Sequence, residues 1–236
     1  MEIFAKTLLS IAFLKSPNKF GFKSTDLIFN SLEGQLNPYK LWENLVAEIQ
    51  ANNIHIIIDE IAEVQGGSTV NLNGLKNNYK AGKAIIANNA FAKKLIKDLN
   101  VFPNRGQVLI SKPIPNLKIQ GTFHMNKGYV YFRNVGNRLL IGGGRDLDVK
   151  KEQTDRFETT DKIQSYLTHL VNTEILPDNS FELDMSWSGI MGFGDRNQKE
   201  YIVESVDQNV CASVRLGGMG VALAPILAQK AVAEFN

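Results

Sequence analysis

Near the C-terminus, Arg215-Leu216-Gly217-Gly218-Met219-Gly220-Val221 runs from a short apolar strand into an Ala-rich helix. Three of the positions 217–220 are glycine, so the backbone there can bend through conformations closed to other residues and approach a ligand with no Cβ in the way. The first turn of the following helix carries unpaired N–H groups and the positive end of the helix dipole. The chemistry this suits is the binding of an anion, or of a group that becomes negative during a reaction. The same residues also suit a tight strand-to-helix turn with no ligand, and a lone glycine turn does not separate the two.

Other reactive residue types are sparse. Cys211 is the only cysteine, so the chain can form no internal disulfide or cysteine metal cluster, and a reducing cytoplasm fits. It lies in the strand-like segment 209–214 and reads as a small core residue. His55 on an apolar stretch and His169 on a helix read as structural, and no spacing of His, Asp or Glu resembles a metal site. Asp59-Glu60 and Glu63 read as the solvated edge of a ribbon. No G-x-S-x-G elbow supports a serine nucleophile.

The elements that must position the glycine turn can be read from periodicity. Asn37-Pro38 is a helix start, and Leu41, Trp42, Leu45, Val46 and Ile49 trace one face of a helix ending near Asn52-Asn53. Residues 54–58 read as a buried strand, followed by a ribbon with turns at Gly66-Gly67 and Asn73-Gly74. Residues 83–87 read as a second buried strand, leading into a short helix over 91–99. From Arg105 the pattern changes to alternating strands at 106–110, 121–125, 128–135 and 138–142, an antiparallel sheet. A helix follows with Ile163, Tyr166, Leu167, Leu170 and Val171 on one face and Thr159 or Thr160 as cap. A strand over 181–187 and a polar loop over 189–198 precede the last strands and the glycine turn. Phe4, Leu8 and Ile11 fall at helical spacing near the N-terminus.

Composition narrows the function class. The chain has 236 residues, 44% hydrophobic and 21% charged, with a net charge of +2 and no basic run, so neither disorder nor a strong electrostatic partner such as nucleic acid is indicated. Lys15 interrupts the N-terminal apolar run and no small-residue cleavage site follows, so no signal peptide is expected. No stretch approaches the ~18 apolar residues of a membrane span. The oligomeric state is not legible.

Several segments together resemble the FAD-dependent D-amino-acid oxidase and glycine oxidase superfamily. They are Tyr129-Val130-Tyr131-Phe132-Arg133, Arg138-Leu139-Leu140-Ile141-Gly142-Gly143-Gly144-Arg145, Trp187-Ser188-Gly189 and the glycine turn continuing to Ala222. Residues 37–41, 83–91 and 103–108 are similar to other segments of that family, and the resemblance covers about residues 34–236. It implies an α/β (α+β) protein: a Rossmann-type FAD-binding domain, split in sequence, with a substrate domain built on an antiparallel sheet inserted into it. The divisions it implies are an N-terminal helical segment at 1–33 belonging to the substrate domain, part of the FAD-binding domain at 34–101, the substrate sheet at 102–187, and a return to the FAD-binding domain at 188–236. It also implies FAD as cofactor, a small-molecule substrate, and backbone amides of Gly217, Gly218, Met219, Gly220 and Val221 against the pyrimidine end of the flavin ring. Negative charge gathers there on reduction, in keeping with the anion reading.

Two departures bear on function. The family's opening strand and G-x-G-x-x-G turn, which hold the pyrophosphate, are not found before Gly34, and a first βαβ unit of ~30 residues with its acidic ribose ligand does not fit into residues 1–29. The chain is therefore expected to be the C-terminal portion of a longer oxidoreductase, binding FAD weakly or not at all alone. Met191 stands where amino-acid oxidases of the family carry an arginine that clamps the substrate carboxylate. Arg133 and Arg145 are alternative anchors for an anionic substrate, with Tyr131 and His124 as polar neighbours. Two readings follow: a flavin oxidoreductase taking hydride from a carbon bearing an amine or similar donor, or a non-catalytic binding or structural module derived from that fold.

Overall fold

The computed structural model describes residues 11–14, 19–23, 26–177, 181–195 and 200–235. In chain order the elements are strands β1 (Ile11–Leu14) and β2 (Leu27–Asn30), helix α1 (Pro38–Ala51), strands β3 (Ile61–Gln65), β4 (Val70–Gly74), β5 (Asn78–Ala81) and β6 (Ala84–Ile86), and a 3-10 helix at Asn89–Lys94. Then come β7 (Phe102–Ser111), β8 (Thr122–Met125), β9 (Val130–Val135), β10 (Arg138–Gly143), α2 (Val149–Glu152) and α3 (Asp161–Leu170), with a π-helical turn at Val171–Ile175. The last elements are β11 (Leu183–Phe193), β12 (Ile202–Asp207), β13 (Val210–Val214) and α4 (Gly220–Ala233). The chain divides into two compact units. One holds Met1–His55, Gly106–Leu147 and Glu158–Ser188; the other holds Ile56–Arg105, Asp148–Phe157 and Gly189–Asn236.

The first unit is built on a sheet of order β11-β7-β10-β9-β8, antiparallel at the β7–β10, β10–β9 and β9–β8 pairs. Alternation along β9 and β10 sends Val130, Phe132, Leu139 and Ile141 to one face, where they are buried against Ile163, Leu167 and Val171 of α3 and the turn after it. Each such side chain removed from water contributes roughly 1.5–3 kcal/mol. Helix α3 begins where expected, at Thr160, but the residue that caps it lies far away in sequence. Buried Gln107 on β7 accepts from the Thr160 N–H at 2.9 Å and donates its amide to Thr160 Oγ1 at 2.9 Å.

Helix α1 also starts as the sequence indicates, with Asn37 Oδ1 accepting from the N–H groups of Tyr39 and Lys40 and Pro38 in the first turn. No residue of the helix is buried, so among the described residues its apolar face is left uncovered. Ile11, read as part of a helix, lies in β1, paired antiparallel with β2; Phe4 and Leu8 lie outside the described residues.

The second unit has a mixed sheet of order β12-β13-β6, with β13 and β6 parallel, and an antiparallel sheet of order β3-β4-β5. Its core gathers Val70, Ile86, Leu99, Val101, Val210, Ala212 and Val214. All five residues of β13 are buried, Cys211 among them, and burial pushes its thiol up from the ordinary range. The ribbon forms with its turns at the expected glycines, while the helix read over 91–99 is the shorter 3-10 turn Asn89–Lys94.

Two expectations fail here. Residues 54–58 form no strand, and Ile56, Ile57 and Ile58 are 56%, 62% and 82% exposed; among the described residues no strand pairs with them to complete a ladder. The segment 189–193, read as loop, continues β11 as strand to Phe193. Among the described residues, no helix is long and apolar enough to cross a membrane, and no three His, Cys, Asp or Glu side chains gather as for a metal ion.

Candidate functional site

The glycine turn of the second unit is held from three directions. Arg215, which opens it, has a left-handed backbone (φ 66°), a costly conformation for a residue with a side chain. That conformation is fixed by Asn89, whose Oδ1 accepts from the N–H of Arg215 at 2.9 Å and of Leu216 at 3.2 Å. The Arg215 side chain is fixed as well, donating from Nη1 to the Asn100 carbonyl at 3.1 Å and from Nε to the Glu200 carbonyl. The third restraint is the Gly217 N–H, which donates to the Gly192 carbonyl at 2.9 Å.

Glycine is favoured at two of these contacts. A Cβ on Gly192 would lie 2.6 Å from Asn89 Oδ1 and 3.1 Å from the Ala90 nitrogen. Gly217 combines a φ of +55° with a would-be Cβ 3.2 Å from the Phe193 ring. Gly218 differs: nothing lies within 4 Å of the place its Cβ would take, so this face of the turn is open.

Beyond the turn, α4 starts without a side-chain cap, Met219 being its N-cap residue. The Met219 carbonyl accepts from Ala222 and Leu223 N–H. Among the described residues the N–H groups of Gly218, Gly220 and Val221 have no acceptor. Met219 and Val221 are exposed. The residues Gly217 to Val221 thus sit together as one element, with the N–H groups of Gly217 and Met219 bonded within the turn's surroundings and those of Gly218, Gly220 and Val221 offered as donors.

The substrate-facing candidates divide between the units. His124, Tyr131 and Arg133 come together on the face of the first unit's sheet opposite its core. His124 is the cross-strand partner of Tyr131, with ring centroids 6.5 Å apart, and Thr122 that of Arg133. Tyr131 lies over Gly142, where a Cβ would meet its ring at 2.6 Å. Burial pushes the Tyr131 phenol above its ordinary range, and the positive charge of Arg133 partly opposes this, so the hydroxyl is a neutral hydrogen-bonding group. Arg133 Nη1 donates to the Leu36 carbonyl at 2.7 Å. Arg145 is placed differently, with its guanidinium 5.7 Å from the centre of the Tyr129 ring. Met191 belongs to the second unit, half-buried near the end of β11.

Sequence reasoning missed Asn89 and Gly192, the two residues that hold the turn. Asn89 has φ 47°, a region that asparagine tolerates better than most residues. The Asn88-Asn89 pair directly after a strand was the signal available. Asp59, read as ribbon edge, instead organises the turn after β4. It accepts from Tyr79 Oη at 2.7 Å and from the N–H groups of Glu60, Lys76 and Asn77 at 2.8–3.0 Å. Burial acts to raise its pKa, but these hydrogen bonds together outweigh it and hold the carboxyl below the usual range.

The model of the FAD dependent oxidoreductase family (DAO) matches residues 14–234. The chain belongs to that family. The fold agrees with solved structures at low identity. Glycine oxidase from Geobacillus kaustophilus superposes with a TM-score of 0.78 at 18% identity, over 99% of this chain and 66% of its own. L-proline dehydrogenase from P. horikoshii gives 0.80 at 14%, over 100% and 67%. L-alpha-glycerophosphate oxidase from Mycoplasma pneumoniae, solved with FAD bound, gives 0.76 at 17%, over 100% and 68%. The chain therefore spans about two thirds of the length of these proteins. No protein of curated function matches it by sequence. FAD is the cofactor of the family, and the donors of the glycine turn fit a flavin: N–H groups without acceptors at a helix N-terminus, beside an open face at Gly218.

Proposed function

We propose that this chain holds the ring end of a flavin and the substrate in a FAD-dependent oxidoreductase that takes hydride from a small amine-bearing or similar substrate. The reading is carried by the glycine turn that Asn89 and Gly192 hold ahead of an uncapped helix start. Bound FAD supplies the electron-accepting chemistry. The contribution of the chain is preorganisation. The N–H groups of Gly218, Gly220 and Val221 would serve the pyrimidine end of a bound flavin, and fixed donors stabilise negative charge at low reorganisation cost.

On the substrate side, Arg133 and Tyr131 offer a cation and a neutral hydroxyl on one sheet face, with His124 beside them. Met191 offers no charge where amino-acid oxidases of the family have an arginine. A carboxylate substrate would then rely on Arg133, and an amine without a carboxylate would need no such anchor.

The test is an NMR titration of the full chain with FAD, which detects weak binding as well as strong. The amides of Gly218, Gly220 and Val221 are expected to shift most, and Gly218→Asp, which places a carboxylate on the open face, to remove those shifts. Shifts confined to other residues, or none at saturating FAD, would refute the reading.

A further inference from the structure

The face of the first unit's sheet that turns away from its core carries apolar side chains where a solvated sheet face is ordinarily polar. Cross-strand pairing lines up His124, Tyr131, Gly142 and Val108 in one row and Arg133, Leu140 and Ile110 in the next. On this face Val108, Ile110, Tyr131 and Leu140 are half-buried, whereas Leu109, Leu139 and Ile141 on the other face are buried. An apolar floor with a few polar groups at its side is the make-up of a small-molecule site.

Two features of the floor select a ligand. The first is the Tyr131 ring. Gly142 beside it has no side chain, and the place a Cβ would take is 2.6 Å from both Cζ and Oη of Tyr131. The ring therefore lies along the sheet over the glycine instead of standing off it, and so offers a π surface on which another flat ring can stack. The second feature is charge. Alternation places Arg138 on the same face as Leu140, but its guanidinium is paired with Asp184. Among the described residues no carboxylate pairs with Arg133, and neither row contains an acid. Arg133 Nη1 donates to the Leu36 carbonyl at 2.7 Å, and a guanidinium carries further N–H donors in a planar fork that matches a carboxylate.

We infer that this face takes a monoanion with a flat, unsaturated body, its ring on Tyr131 and the apolar floor and its carboxylate on Arg133. Positions two apart on a strand are roughly 7 Å apart, which sets the separation of ring and anion at a short linker. A simple amine is disfavoured, since it brings a second positive charge to a face whose unpaired charge is already positive. That this ligand is the substrate of a redox reaction rests on the flavin reading, whereas its binding does not.

The experiment titrates the full chain with 3-phenylpropanoate, followed by NMR at the Tyr131 ring, the Arg133 Nε–H and the methyl groups of Val108 and Leu140. These signals are expected to shift together along one saturating curve. 3-Phenylpropan-1-amine, which keeps the ring and reverses the charge, should bind at least ~10-fold more weakly, and Arg133→Gln should weaken the acid by roughly 10-fold. In Tyr131→Leu the preference for 3-phenylpropanoate over 3-cyclohexylpropanoate should fall by roughly 3-fold, a ratio from which the greater hydrophobicity of the saturated ring cancels. The inference falls if the amine binds the parent chain as tightly as the acid, if that ratio is unchanged, or if the acid at its solubility limit shifts none of these signals. The comparison of acid with amine is made on the parent chain and so holds whether or not a variant folds. Probe binding with no FAD-induced shift at Gly218, Gly220 and Val221 would overturn the flavin reading and leave this site standing; FAD shifts without probe binding would do the reverse.

Discussion

Arg105 and Glu152 form a pair inside the second unit whose removal gives the sharpest quantitative test of its folding. Their side chains are 1% and 2% exposed. Arg105 Nε donates to Glu152 Oε2 at 3.0 Å, Nη2 to Oε1 at 2.7 Å, and Nη2 also reaches the Lys151 carbonyl at 3.4 Å. Glu152→Gln keeps the shape and removes the negative charge that faces the buried guanidinium. Two charge-assisted hydrogen bonds at ~1.5–3 kcal/mol each bound the loss from above, and broken buried pairs typically cost about 3–5 kcal/mol. Against the usual ~5–15 kcal/mol of a folded domain, that is a large share.

In urea, with a slope of about 2–3 kcal/mol per molar, the midpoint of the second unit's transition should fall by roughly 1–2 M, read by circular dichroism. The double variant Arg105→Met, Glu152→Leu should recover most of the loss, because it removes both desolvated charges at once. A Glu152→Gln midpoint within ~0.3 M of the parent, or a double variant as unstable as the single one, would refute the claim that the pair's worth lies in mutual compensation of buried charge.

Three further outcomes follow from the same geometry. Asn89→Ala should free the amides of Arg215 and Leu216, raising their hydrogen exchange and costing about 1–3 kcal/mol, while Asn89→Gly, which tolerates the positive φ but also lacks the acceptor, should free the same amides at a smaller cost. Asp59 has its folded pKa held below 3.8, so its ionised form stabilises the protein above that value and the benefit is lost as pH falls through the folded pKa; the stability difference between the parent and Asp59→Asn, measured by urea unfolding, should shrink on acidification from about pH 6 to about pH 2. Gly143→Ala would set a Cβ 1.9 Å from the Tyr129 carbonyl oxygen at φ +117° and should cost more than ~4 kcal/mol, whereas Gly217→Ala, 3.2 Å from a ring edge that can yield, should cost roughly 1–2 kcal/mol by thermal unfolding.

What could be read in the sequence depended on how local the cause was. Helix α1 was legible because its cap spans only four residues: Asn37, Pro38 and the N–H groups of Tyr39 and Lys40 that Asn37 accepts all lie in one turn. The antiparallel sheet of the first unit was legible because β9 and β10 alternate in step and pair with each other. The glycine turn was legible as a turn, since Gly217, Gly218 and Gly220 announce it. What holds it was not, because Asn89 and Gly192 reach it across 126 and 25 residues of chain, and the Asn88-Asn89 pair signals a local turn without naming its distant partner. The segment 54–58 failed for the opposite reason. Its isoleucines have the composition of a buried strand, but a strand exists only when another strand bonds to it, and the described residues place none there.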